Sequence, residues 1–141
     1  MFHEQRTTVP ESPDELLAEY ESDLAALVER HGLEHVVDAT DVDRDALEAL
    51  LEGDAADLDL EEAARIQALE DGVREPETVV TMACEHLLMG MSSAVLDVDA
   101  VQSELEIELD AKEIQQKIER RAPMSFAEYA HIQHVIVSNM P

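Results

Sequence analysis

Positive charge is what this chain has least of. Nine lysines and arginines stand against 34 aspartates and glutamates, and only Lys112 and Lys117 are lysines. A formal net charge of −25 strains a compact state through self-repulsion. Near ~1 M salt the screening length falls to roughly 3 Å and most of that repulsion is gone. An acidic disordered tail is excluded, because 45% of the residues are hydrophobic and recur at helical spacing. A single cysteine, Cys84, rules out an internal disulfide, and its apolar surroundings predict a buried, inert thiol. Only Gly32, Gly53, Gly72 and Gly90 are glycines, so there is no phosphate-cradling glycine loop. No nucleophile–base–orienter set can be assembled from spacing either, and the chain reads as a non-enzyme without a cofactor. The opening MFHEQRTTVPESPDE lacks an apolar run of signal-peptide length, so a cytoplasmic protein that spans no membrane is expected.

Charge is also missing from one long stretch. Between Thr78 and Ser93 the only charged residue is Glu85. Val79, Val80, Met82, Ala83, Leu87, Met89, Met91, Ala94 and Val95 cover more than one face of a helix, which predicts a buried one. Pro76 marks its start. This central helix is expected over residues 76–96, and Glu85-His86 at its middle argues against a membrane span.

Before it, residues 1–11 read as a mobile leader. Ser12-Pro13-Asp14-Glu15 carries a helix N-terminal signal, and that helix should run to His31, where Gly32 ends it. Leu33 to Ala39 predict a short second helix. Asp43 caps a third, which breaks at Gly53-Asp54, and a fourth covers Leu60 to Leu69. After the central helix, Val98 to Leu105 predict a short helix. Leu105 to Leu109 alternate strictly, which fits a short strand or a loop. Asp110 with Glu113, and Ser125 with Glu128, open the last two helices.

The chain repeats itself. Asp43, Leu47, Leu51, Glu52 and Ala55 match Asp110, Ile114, Ile118, Glu119 and Ala122 at a constant offset of 67 (110 − 43). Leu60, Glu62, Ala64, Ile66 and Gln67 match Phe126, Glu128, Ala130, Ile132 and Gln133 at an offset of 66 (133 − 67). The expectation is an all-α protein of two fused halves, residues 12–72 and 73–141, around the long apolar helix.

Each half, with Val36-Val37-Asp38-Ala39-Thr40-Asp41-Val42-Asp43 as the clearest stretch, resembles the lambda-repressor-like (Cro/C1-type) helix-turn-helix fold. Asp41 stands where that family has a turn glycine, and Thr40 where it has a core leucine. In the second half Val101, Leu105 and Ile107 match the pattern only with Glu108-Leu109 as an insertion. The acidic composition resembles cytosolic proteins of salt-accumulating halophilic archaea. The whole chain also looks like a family of small acidic haloarchaeal proteins that carries no known activity.

The helix-turn-helix resemblance implies a regulator or adaptor that uses the second half for DNA or the combined surface for a protein partner, and the methionine-rich face of the central helix suits a second copy. Only the second half has a helix suited to DNA. Its outward stripe is Lys112, Gln116 and Arg120, flanked by Gln115, Lys117 and Arg121. Glutamine and arginine can read base edges and lysine can hold phosphate. Asp45, Ala49 and Gly53, flanked by Glu48 and Asp54, stand at the matching first-half positions and would repel it. Lys112 and Lys117 can equally serve to balance neighbouring carboxylates. A weaker pattern is Glu128, His131 and His134, which with His86 could approach a metal, though a solvent-facing stripe explains it as well.

Overall fold

A computed structural model describes residues 1–54, 58–73 and 75–141. Ala55, which the repeat pairs with Ala122, lies outside the described residues. These contain eight helices, each opened and closed by residues within a turn of its ends. Helix α1 (Pro13–His31) starts where the Ser12 hydroxyl accepts from the Glu15 amide at 3.1 Å. It buries Leu16, Tyr20, Leu24, Leu27 and Val28, and ends as Gly32 turns to φ 87°. Helices α2 (Leu33–Thr40) and α3 (Arg44–Leu51) follow, then α4 (Leu60–Gln67) with a reciprocal capping box between Asp59 and Glu62. The second run is α5 (Pro76–Ala94), α6 (Val98–Glu104), α7 (Ala111–Ile118) and α8 (Phe126–Ser138). Both α7 and α8 carry full capping boxes, Asp110 with Glu113 and Ser125 with Glu128.

Thr40 and Asp41 form the joint between α2 and α3. Thr40 is buried, but its hydroxyl donates to the Val36 carbonyl at 2.6 Å and accepts from the Val42 amide at 3.2 Å. Asp41 takes the left-handed conformation, φ 58°, which aspartate tolerates better than most residues.

Packing interleaves the two runs. Helix α1 lies mainly on α8 and α3, while α5 lies on α4 and α8, so one contiguous core joins both. The start of α4 is tied to the start of α8 by a single antiparallel bridge between Asp59 and Ser125. Its two bonds, Leu60 N–H to Met124 O and Phe126 N–H to Leu58 O, are both 2.9 Å. Residues 105–109 form a loop. Leu105 and Ile107 pack on the core and Leu109 is buried, but among the described residues no neighbouring strand offers the alternation a ladder.

Two expectations fail. Helix α5 is not buried all round. Val79, Val80, Ala83, Cys84, Leu87, Gly90 and Met91 form one covered stripe, whereas Leu88 is 47% and Met89 52% exposed. The helices packed against it are α4, α7 and α8. Residues 1–11 are not a free leader either. Phe2 is buried among Tyr20, Phe126 and Tyr129, with ring centroids 6.3, 5.1 and 5.8 Å away. These four are every phenylalanine and tyrosine in the chain. The Tyr129 hydroxyl donates to Phe2 O at 2.7 Å and accepts from Gln133 Nε2 at 3.2 Å. Tyr20 completes this buried network by donating to Gln133 Oε1. Arg6 reaches the Tyr20 hydroxyl at 3.4 Å and Glu19 at 3.3 Å. The first eleven residues thus form a strap laid on α1, α5 and α8.

Gly90 is where α5 meets α8 most closely. A Cβ there would lie 2.7 Å from Ile136 Cγ2, a buried β-branched methyl with little rotamer freedom. Alanine gains about 1 kcal/mol over glycine in an exposed helix, but forced overpacking costs about 1–3 kcal/mol. Gly90→Ala should therefore lower the urea midpoint. A raised midpoint would mean that α5 and α8 separate without loss.

Candidate functional site

The predicted DNA-reading stripe lies on α7, and the geometry divides it. Ile114 and Ile118 are buried, so Lys112 and Gln115 point outward as the spacing requires, with Gln116 half-buried. Lys112 makes no ion pair among the described residues, while Gln115 donates to Glu119 Oε2 at 3.2 Å.

The remaining three residues each have a partner on the protein itself. Lys117 is 14% exposed, and its ammonium donates to Pro123 O at 2.8 Å and Glu128 Oε1 at 3.0 Å. Arg121 pairs with Glu119 Oε1 at 2.5 Å. Hydrogen bonds from Gln115, and then from Arg121, hold the Glu119 carboxyl below the usual carboxylate range. Arg120 is not on the helix at all. Helix α7 closes as Arg121 N–H bonds Gln116 O at 2.8 Å and Arg120 N–H bonds Lys117 O at 3.2 Å. That pair of bonds puts the residue between cap and chain exit in the left-handed region, and Arg120 has φ 63°. Helix α3 closes in the same way, with Gly53 at φ 89° and bonds from Asp54 to Ala49 and from Gly53 to Leu50.

The stripe Lys112–Gln116–Arg120 is therefore broken at its last member. Arg120 Nη1 instead donates to Thr81 Oγ1 on α5 at 2.9 Å. Lys117, Arg120 and Arg121 together edge a depression of about 300 Å³, floored by Leu60, Val80, Cys84 and Met124. Burial pushes the Cys84 thiol up, against the opposing pull of Arg120. Sequence spacing did not place Cys84, Thr81 or Val80 beside these cations. One signal was available, since Arg120 aligns with Gly53, a residue type typical of a position just past a helix.

The candidate metal ligands are not brought together. Glu128 is taken by Lys117 and by the Ser125 amide at 2.8 Å. His131 is buried, with Nε2 3.5 Å from Asp14. His134 Nε2 donates to Pro10 O at 2.8 Å, and His86 Nδ1 donates to His3 O at 2.7 Å. The two last histidines bind the strap. Among the described residues no group of three or more His, Cys, Asp and Glu side chains could hold a metal ion. No single helix among them is long and apolar enough to cross a membrane.

Residues 16–139 match DUF5791, described as a family of unknown function. The chain belongs to that family. No curated protein and no solved structure matches it. The DUF5791 match begins inside α1 and runs past the end of α8, so it takes in the depression beside α7 and stops short of the strap.

Proposed function

We propose that this DUF5791 protein is a non-enzymatic interaction module of a salt-rich cytoplasm, built from two fused helix-turn-helix-like halves, that associates with a second copy rather than gripping DNA. The observation that carries this reading is the fate of the α7 cations. Lys117 and Arg121 already have their charge offset by carboxylates, and Arg120 lies past the helix end, turned toward Thr81, so among the described residues Lys112 alone presents an unpaired charge from the helix face to phosphate. Support for two related halves comes from their shared helix order, the matching closures of α3 and α7, and the bridge between Asp59 and Ser125, 66 positions apart.

Self-association of a chain with net charge −25 needs a face without charge. Helix α5 and its exit come nearest to one, with Leu88, Met89 and Val95 exposed beside Ser92 and Ser93 and Glu85 the one charged residue of the helix beyond its first turn. Light scattering in molar potassium chloride should give a dimer, and Leu88→Glu with Met89→Glu should return it to a monomer. A native protein that stays monomeric at high concentration removes the dimer reading.

A second reading keeps DNA as the target through Lys112, Gln115 and Gln116, which are not buried. Under the dimer reading a pull-down from native extract in molar salt recovers no enriched DNA sequence. DNA that is retained, and then lost on Gln116→Ala or Lys112→Glu, would restore the regulator reading. Arg120→Glu should leave any retention unchanged, because Arg120 lies beyond the helix.

A further inference from the structure

We propose that the depression between α4, α5 and the end of α7 binds a small organic anion, a single phosphate or carboxylate carried on a compact apolar group. Two features of the cavity point to this. One wall is cationic, with Lys117, Arg120 and Arg121, and the floor is apolar, with Leu60, Val80 and Met124. A second hollow shares Arg120 and Val80 and adds Arg65. Four of the chain's nine basic residues therefore meet at one place on an otherwise acidic body. The first hollow sets three cations against the carboxylates Asp59 and Glu61, a local positive excess on a body of net charge −25, and a concave site with such an excess raises the local concentration of anions.

Arg120 is the residue able to receive it. Lys117 and Arg121 each have a carboxylate partner, whereas the only partner of the Arg120 guanidinium among the described residues is the neutral Thr81 hydroxyl. A guanidinium has five N–H donors, so a two-pronged contact to phosphate or carboxylate remains open. Its backbone stands at φ 63°, where the other half of the chain has Gly53 at φ 89°. Arginine is thus kept in a conformation that glycine adopts without strain. Three carboxylates line the two hollows: Glu77 stands with Arg65 in the second, and Asp59 is turned to the Glu62 amide at 2.7 Å. Glu61 borders both hollows and opposes a polyphosphate chain. A volume of about 300 Å³ holds roughly ten water-sized groups, which is the size of phenyl phosphate.

The test is calorimetric titration of the intact protein in molar potassium chloride with phenyl phosphate, benzoate, phenol and inorganic phosphate. Phenyl phosphate or benzoate should bind at least tenfold tighter than phenol or inorganic phosphate, and the tighter of the two names the head group. Arg120→Gly should weaken that binding at least tenfold while the thermal melt is unchanged or raised. Arg120→Asn, also suited to a positive φ, should do the same if the glycine variant folds poorly. Equal binding of phenol would show that the cations are not used, and equal binding of inorganic phosphate that the apolar floor is not. Either result overturns the proposal, as does unchanged affinity in both Arg120 variants.

Discussion

Replacing Phe2 with alanine should destabilise the protein by about 3–5 kcal/mol, the range for a buried phenylalanine. Deleting residues 1–11 should do at least as much. Against a folding margin of about 5–15 kcal/mol, either change brings the chain close to unfolding. The effect is large because Phe2 touches the three other aromatic rings at once, and its carbonyl accepts from the buried Tyr129 hydroxyl. Without the strap that hydroxyl, together with the ring edges, faces solvent or a void. Urea denaturation at constant salt measures the loss; a Phe2→Ala midpoint equal to the native one would mean that the strap adds nothing. Acid should act on the same strap. Burial lowers the pKa of His3 below 6.5, so the unfolded chain takes up that proton first. Its contribution is complete above pH 6.5 and is lost as pH falls through the folded value. Acidification also relieves carboxylate repulsion across the whole surface, so the readout is the difference between native protein and His3→Gln. The native protein should lose more stability on acidification, and identical pH slopes would contradict this.

Dialysis into dilute buffer should unfold the protein, and potassium chloride should restore it. A chain of 141 residues has a radius of gyration of roughly 14 Å. With a screening length of ~3 Å in molar salt each carboxylate feels only its immediate neighbours, but at ~30 Å in dilute buffer it feels every other one. Compensation is scarce. Exposed pairs such as Arg44 with Glu34 and Arg121 with Glu119 answer only a few of the 34 acidic groups, and such surface pairs contribute at most about 1 kcal/mol each. Circular dichroism should therefore show helix content falling as salt is removed and returning when it is added. Cooperative unfolding retained in dilute buffer would contradict the repulsion argument.

The sequence by itself determined the helices and their ends. Ser12, Gly32, Asp110 and Ser125 act on backbone groups within one turn of themselves, so neighbouring residues are enough to read them. The buried stripes of α1 and α7 were legible for the same reason, since helical spacing alone selects Leu16, Tyr20 and Leu24, or Ile114 and Ile118. The candidate site was half legible. The cluster of cations after Asp110 stood out against the acidic background, but the turn that carries Arg120 out of the helix and toward Thr81 did not. Tertiary structure alone decided which face of α5 is covered, because an apolar helix does not state where its neighbours lie. It alone decided the role of the first eleven residues. Phe2 finds its partner Tyr129 at a distance of 127 positions, and no local period records a contact that forms only after the helices between them have packed.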